Sequence, residues 1–138
     1  MNTLIIVIAH TPLASALKEV AMHVFEAAKE IMVYDIKPDD APEEIQANIM
    51  QDIQQYEAVD QVLVLGDLVG ATPANIGVKV AQLLNQQGIN SEFFSGTNVC
   101  MLLNAVCYRS LPLDALEAKI LEGGQKGMKS IDCTCQSS

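Results

Sequence analysis

Short apolar runs alternate along this chain with segments whose apolar residues recur at helical spacing. The first and third predicted strands cover residues 3–9 and 61–66, and both are dominated by Ile, Val and Leu. Residues 31–34 and 91–95 predict two shorter strands. Continuous apolar runs are typical of parallel strands covered by helices on both faces. The pattern therefore indicates an α/β sheet rather than a sandwich or a helical bundle.

The segments between the predicted strands indicate amphipathic helices. In the first of them, the predicted buried face carries five apolar residues: Leu13, Leu17, Val20, Val24 and Phe25. The other helices are predicted from Pro42 to about Tyr56, over residues 73–87, from about Val99 to Arg109, and from Leu113 toward Gly123.

The order of these elements predicts one three-layer α/β domain over residues 1–132. Residues 128–131 alternate in polarity as an edge strand does, so the last element is a fifth strand. Right-handed crossovers favour a flavodoxin-like sheet of strand order 2-1-3-4-5, in which the ligand crevice lies between strands one and three. The polar residues 133–138 predict a flexible tail.

Charge and hydropathy limit the kinds of partner that the protein can bind and the cellular compartment in which it is expected. The formal net charge is −9, and the pI is about 4.4. Nucleic acid is an improbable partner, because a phosphate backbone favours clustered Lys and Arg. No apolar run approaches the roughly 18 residues of a membrane span, and no secretory signal precedes the first strand. We therefore expect a cytoplasmic protein, whose acidic surface could steer a basic partner toward it.

The four cysteines do not predict a metal centre. Free thiols are the default for a cytoplasmic chain. Cys133 and Cys135 supply only half of a tetrahedral site, and no histidine lies near them in the sequence. We expect neither a metal nor a cofactor. Cys107 is predicted to belong to the core.

A histidine and a carboxylate follow the first and third predicted strands. His10 comes directly after the first strand, and Asp67 directly after the third. The carboxyl ends of neighbouring parallel strands meet at one crevice, so these two side chains can pair. A carboxylate on one ring nitrogen fixes the tautomer and leaves the other nitrogen free as a nucleophile. The alternative is that His10 only caps the helix that follows it.

Residues 70–73 begin the third helix close to Asp67. Thr72 is suited to the N-cap position and Pro73 to the first helical position. Free backbone N–H groups at a helix start favour an anion, and Gly70 allows close approach of the backbone. Beside His10 and Asp67, the segment Gly70-Ala71-Thr72 is predicted to bind phosphate.

Other chemistry is less well supported by the sequence. Asp35 ends the second strand, where it either faces the same crevice or is a solvated loop acid. His23 is expected on the surface. The chain has no phosphate-binding loop of the G-x-x-x-x-G-K-[ST] type and no G-x-G-x-x-G dinucleotide motif.

The chain resembles the IIA component of the mannose-type sugar phosphotransferase system. Three segments carry this resemblance: Ile6-Val7-Ile8-Ala9-His10, Leu65 to Asn75 (LGDLVGATPAN), and Ser95 to Met101 (SGTNVCM). It implies that His10 accepts a phosphoryl group from the phosphocarrier protein HPr and passes it to a histidine of a IIB partner. By the same resemblance Asp67 holds the imidazole, and Gly70, Ala71 and Thr72 contact the phosphate. It also implies a homodimer in which the last strand, residues 128–132, is exchanged between subunits.

The sequence departs from the family pattern at three positions that touch the loops around His10 and Asp67. Ala71, Cys100 and Thr11 stand where the family usually has glycine, proline and glycine. The chain also lacks the Ala/Pro-rich linker that joins many family members to a IIB domain. These departures keep open a regulatory phosphoprotein, or a phosphoryl donor to a dihydroxyacetone kinase, as alternatives. From another class, a flavodoxin-like binding module with a structural His10 is also possible.

Overall fold

The computed structural model describes residues 1–134 as a parallel four-stranded sheet with helices on both faces. The strands lie in the order β2-β1-β3-β4, which confirms the predicted arrangement of the first four. The strands are β1 (Thr3–His10), β2 (Met32–Ile36), β3 (Gln61–Gly66) and β4 (Asn90–Phe94). The helices are α1 (Leu13–Val24), α2 (Pro42–Gln54), α3 (Thr72–Gln86), α4 (Val99–Cys107) and α5 (Leu113–Lys126), with a short 3-10 helix at Glu26–Glu30.

The two central strands are buried on both faces, which explains their continuous apolar sequences. In β1, Ile5 and Val7 face the layer of α1, α4 and α5, whereas Ile6 and Ile8 face the layer of α2 and α3. All four side chains are at most 3% exposed. Since successive strand residues point to opposite faces, a strand between two helix layers needs an apolar residue at every position.

The predicted buried face of α1 is only partly correct. Leu17 is buried, but the residues that accompany it in the core are Ala14 and Ala21. The larger Val20 and Val24 are exposed. Alanines at these positions let the helix axis approach the sheet closely, so that the bulkier residues lie outside the contact.

The structure corrects one further expectation and adds one element that was not predicted. Cys107, which was predicted to be a core residue, is exposed at the end of α4. The 3-10 helix Glu26–Glu30 between α1 and β2 was not predicted, and Ala28 is its buried residue. His23 is exposed, as expected.

The C-terminal segment has no strand partner among the described residues of the single chain. Residues 128–134 form neither helix nor strand and are exposed, and residues 135–138 of the predicted tail lie outside the described residues. An exchanged strand needs a second copy, so that element remains a prediction. No helix within residues 1–134 is long and apolar enough to cross a membrane.

A buried glutamine connects α5 to the start of the sheet. Gln61 is fully buried, and its side-chain amide donates to the Thr3 hydroxyl (2.7 Å) and to the Leu111 carbonyl (2.8 Å). Its side-chain oxygen accepts the N–H of Leu113, the first residue of α5, at 2.9 Å. The side chain therefore satisfies backbone groups at the buried start of this helix.

Replacing Gln61 by leucine is expected to destabilise the fold. The Leu113 N–H and the Leu111 carbonyl would lose their partners inside the protein, and each buried unsatisfied group costs about 1–3 kcal/mol. We expect the free energy of unfolding in urea to fall by about 2 kcal/mol or more. The exposed Gln54→Leu change in α2 is the control and should stay within about 0.5 kcal/mol of the original protein. Equal effects of the two substitutions would contradict this role for Gln61.

Candidate functional site

The site lies at the carboxyl edge of the sheet, where β1 and β3 end side by side. His10 is the last residue of β1, and Asp67 directly follows β3. The two strands are paired up to Ile8 and Gly66, which places the next residues of both strands at the same edge. The structure thus brings together the histidine and the carboxylate that the sequence predicted as a pair.

One carboxylate oxygen holds both the backbone and the ring of His10. Asp67 Oδ2 accepts the His10 backbone N–H at 2.9 Å and lies 2.7 Å from His10 Nδ1. The other oxygen, Oδ1, accepts the Leu68 backbone N–H at 2.8 Å. An ionised carboxylate can only accept, so Nδ1 carries the proton and Nε2 of the neutral ring has the free electron pair.

Exposure differs sharply between the two partners. The Asp67 side chain is 10% exposed, whereas that of His10 is 47% exposed. The carboxylate is thus held inside the edge of the sheet, and the imidazole can be reached from solvent. This arrangement suits a ring nitrogen that reacts with a group brought by another molecule.

The hydrogen bonds keep Asp67 ionised. Partial burial alone would raise the pKa of this carboxyl, but the bonds from the His10 backbone, the His10 ring and the Leu68 backbone outweigh it. The pKa of Asp67 therefore lies below its ordinary value. The carboxylate is charged throughout the neutral pH range and orients the ring there.

The loop after β4 fixes the backbone on which Asp67 stands. The Gly96 N–H donates to the Asp67 carbonyl at 2.6 Å. The Thr97 N–H and hydroxyl both donate to the Gly66 carbonyl, at 3.0 and 2.6 Å. Sequence reasoning included this loop only through the family resemblance. Gly96, with φ +67°, was the available signal, because a glycine two residues after a strand allows a left-handed turn.

Asp35 has a role that neither sequence-based alternative described. Its carboxylate accepts the backbone N–H of Ser15 at 3.1 Å and also the Ser15 hydroxyl. Ser15 lies in the first turn of α1, the helix that follows His10. In the same region, the Thr11 N–H donates to the Ile36 carbonyl at 3.0 Å. Asp35 thus ties the end of β2 to the segment that carries the histidine, and helps to hold that segment in place.

The predicted phosphate-binding residues form the turn between Asp67 and α3. Gly70 adopts a left-handed conformation with φ +83°. The helix begins at Thr72 with Ala71 at the N-cap position, so the predicted N-cap at Thr72 is wrong by one residue, and no side chain caps the helix. The Ala71 N–H donates to the Leu68 carbonyl at 3.3 Å. The exposed Thr72 stands at a helix start whose first-turn N–H groups have no intrahelical acceptor.

Two apolar residues beside the site face solvent. Leu68 and Val69, in the loop directly after Asp67, are 63% and 81% exposed. Adjacent exposed apolar side chains beside a reactive group offer a surface on which another molecule can bury apolar area. Within the described residues, no three His, Cys, Asp or Glu side chains converge as metal ligands would.

Solved structures share this fold at low sequence identity. The mannose/sorbose-specific IIA subunit of the phosphotransferase system from Enterococcus faecalis superposes with a TM-score of 0.81 at 22% identity, covering 99% of this chain and 100% of that one. The phosphotransferase component EIIA from Streptococcus agalactiae gives 0.78 at 20% identity, with 93% and 96% covered. A sigma-54 interaction domain protein from Enterococcus faecalis gives 0.74 at 17% identity, with 91% and 93% covered.

The fold is thus that of the IIA components of the sugar phosphotransferase system. The family model described as PTS system fructose IIA component, EIIA-man, matches residues 4–121 of this chain. The chain belongs to this mannose-type IIA family, and membership implies phosphotransferase activity and phosphotransfer partners in general.

The tautomer of His10 can be measured directly. In ¹⁵N NMR spectra of the histidine side chains, we expect neutral His10 to carry its proton on Nδ1. A hydrogen bond to a charged acceptor contributes about 1.5–3 kcal/mol, which corresponds to a preference of roughly tenfold or more. Asp67→Ala should abolish that preference and leave the exposed His23 unchanged. Neutral His10 protonated on Nε2 in the original protein would contradict the arrangement.

Proposed function

We propose that this protein accepts a phosphoryl group on His10 Nε2 from phospho-HPr and passes it to a histidine of a IIB-type acceptor. The observation that carries the proposal is the bond between His10 Nδ1 and Asp67, at 2.7 Å, on a ring that is half exposed. It supports a nucleophile that is oriented on one side and accessible on the other. Family membership supplies the general chemistry.

The proposed phosphoryl transfer from one histidine to another needs no cofactor. The electron pair on His10 Nε2 attacks phosphorus, a new N–P bond forms, and the N–P bond of the donor phosphohistidine breaks. The donor imidazole leaves with the electron pair; if its other nitrogen carries no proton, it takes up one proton from water. His10 keeps its Nδ1 proton, and the positive charge that develops on its ring is stabilised by ionised Asp67. The return step repeats this sequence with the acceptor histidine as nucleophile.

Gly70, Ala71 and Thr72 are proposed to bind the phosphoryl oxygens. The start of α3 offers N–H groups and the positive end of the helix dipole, both of which favour an anion. The Thr72 hydroxyl is a further donor, and the left-handed Gly70 keeps the turn free of a side chain. Because the Ala71 N–H has a partner in the turn, Gly70 and Thr72 carry more of this role.

HPr is proposed to dock on the surface formed by Leu68 and Val69, next to His10. Burial of these exposed side chains would give the encounter apolar contact area beside the reacting nitrogen. The formal net charge of −9 would steer a basic surface toward this protein. Binding through a few exposed side chains suits a carrier that must leave after each transfer.

A second candidate is a regulatory phosphoprotein whose phosphorylation state is recognised by a partner. The same fold occurs in the sigma-54 interaction domain protein from Enterococcus faecalis. This likeness favours a regulatory role for the protein as the second candidate. Donation to a dihydroxyacetone kinase is a further outcome for the same phosphohistidine. Adding purified IIB-type or kinase acceptors to the phosphorylated protein distinguishes these outcomes by whether the phosphoryl group is lost.

His10 is expected to be the single site of phosphorylation. After incubation with phosphoenolpyruvate, enzyme I and HPr, intact mass should show one acid-labile phosphoryl group. His10→Ala should abolish it, because the nucleophile is gone. His23→Ala is the matched control, since His23 is the other histidine of the chain and is exposed on α1. No phosphoryl group on the original protein, with HPr phosphorylated, would favour the binding-module alternative.

The Thr72 hydroxyl is expected to accelerate the transfer. Thr72→Val removes this donor with little change in shape, and the loss of one positioned donor to a developing anion costs a factor of about 10²–10³ in the best-studied sites. For this exposed position we expect a decrease of about tenfold in the rate of phosphorylation by phospho-HPr. Thr72→Ser keeps the hydroxyl and should retain most of the rate. Equal rates for the valine and serine variants would remove Thr72 from the phosphate site.

A further inference from the structure

Glu92 is a poorly accommodated carboxylate in the middle of β4. Its Oε2 atom is buried and accepts no hydrogen bond from any described residue. The charged groups that face it, Glu117 and Asp114 of α5, are acidic as well. Burial, together with these two carboxylates, raises the pKa of Glu92 above its ordinary value. A buried carboxylate oxygen without a donor is unfavourable, so the position is suited to a cation brought from elsewhere.

The strand that carries Glu92 has a free edge. Among the described residues, β4 pairs with β3 alone, so the backbone N–H and C=O groups of its other edge have no ladder partner. An unpaired strand edge is a template on which another extended segment can add by main-chain hydrogen bonds. The edge and the carboxylate together define one surface, which needs both a strand and a positive charge.

The C-terminal segment of the chain has both properties. Residues 128–132 match the five residues of β4 in length, and they lie outside any helix or strand. Met128 and Ile131 are 68% and 69% exposed, so the segment leaves apolar area in water. Lys129 lies between them in the sequence.

Three of the other described Lys and Arg residues form ion pairs: Lys29 with Glu26, Arg109 with Glu30, and Lys126 with Glu122. Lys119 lies over the Tyr108 ring, and Lys18, Lys37 and Lys79 form no ion pair within the described residues. No ion pair is formed by Lys129 within residues 1–134. Among the described cations without an ion pair, Lys129 is the one that lies on the exposed C-terminal segment.

We propose that the partner subunit's Lys129 pairs with Glu92 when residues 128–132 of a second copy add to the free edge of β4. The resemblance to the family implies an exchanged strand. It does not imply which side chains fix the register of that strand against β4. Side chains alternate across a strand, so this ion pair admits only registers that place Lys129 opposite or diagonal to Glu92 on one face. The occupant is a second copy, because the segment leaves the β4 edge of its own chain unpaired.

Charge reversal at the two positions tests the proposal. Glu92→Lys and Lys129→Glu, each alone, place like charges across the interface and should weaken the dimer about tenfold or more in sedimentation equilibrium. Mixing the two variants should form heterodimers in preference to either homodimer, because both of their interfaces then pair opposite charges. Native mass spectrometry with one variant ¹⁵N-labelled measures this preference. The double variant Glu92→Lys/Lys129→Glu should dimerise like the original protein.

The controls separate this interaction from net charge and from folding. Glu26→Lys and Lys29→Glu change the charge equally at the opposite edge of the sheet, and should neither weaken the dimer nor favour heterodimers. Lys129 lies in an exposed segment outside helices and strands, so Lys129→Glu tests the pair even where Glu92→Lys folds poorly.

Single variants that dimerise normally, or a mixture without heterodimer preference, would overturn the proposal. A monomeric original protein would overturn it as well. None of these measurements uses phosphoryl transfer, so this proposal and the proposed function can fail independently.

Discussion

The candidate site depends on the hydrogen bonds between the Asp67 carboxylate and His10. The Oδ2 atom of Asp67 takes both the backbone N–H and the ring nitrogen of His10, and the Asp67 carbonyl takes the N–H of Gly96. The ends of β1 and β3 and the loop after β4 therefore converge on one residue. The position of the imidazole depends on all three segments through their bonds to Asp67. The buried parallel sheet matters for function mainly because it sets these three chain segments side by side.

The sheet and the His–Asp pair could be predicted from sequence because each follows from a local pattern and one rule of topology. Continuous apolar runs identify β1 and β3, and parallel strands bring their carboxyl ends together. The predicted order of the first four strands then placed His10 beside Asp67 with no knowledge of side-chain contacts. The buried face of α1 was less predictable. Periodicity in hydrophobicity favours large residues such as Val20, whereas close helix–sheet contact here selected Ala14 and Ala21.

The hydrogen bonds that hold the site from outside were beyond sequence reasoning. Asp35 and Ser15 are 20 residues apart, and Gly96 reaches the carbonyl of Asp67 across the gap between two strands. Neither contact has a characteristic spacing along the chain, because each depends on where two loops meet after the strands have paired. The first residue of α3 was also difficult to predict, although it depends only on neighbouring residues. Threonine before proline suggests an N-cap at Thr72, but the turn over Leu68 to Ala71 begins the helix with Ala71 in that position.

The site and the proposed interface share a structural element, the loop that follows β4. Its Gly96 and Thr97 bond to the backbone of Asp67 and Gly66, while the side chain of Asn98 caps α4 and donates to the Gly124 carbonyl of α5 at 3.3 Å. The loop thus starts from the edge strand that carries Glu92 and ends against the helix that precedes Lys129. A strand added to β4 would restrict the strand from which this loop begins. If the proposed strand is added, its effect on β4 would reach the backbone of Asp67, and hence His10, through the bonds of Gly96 and Thr97.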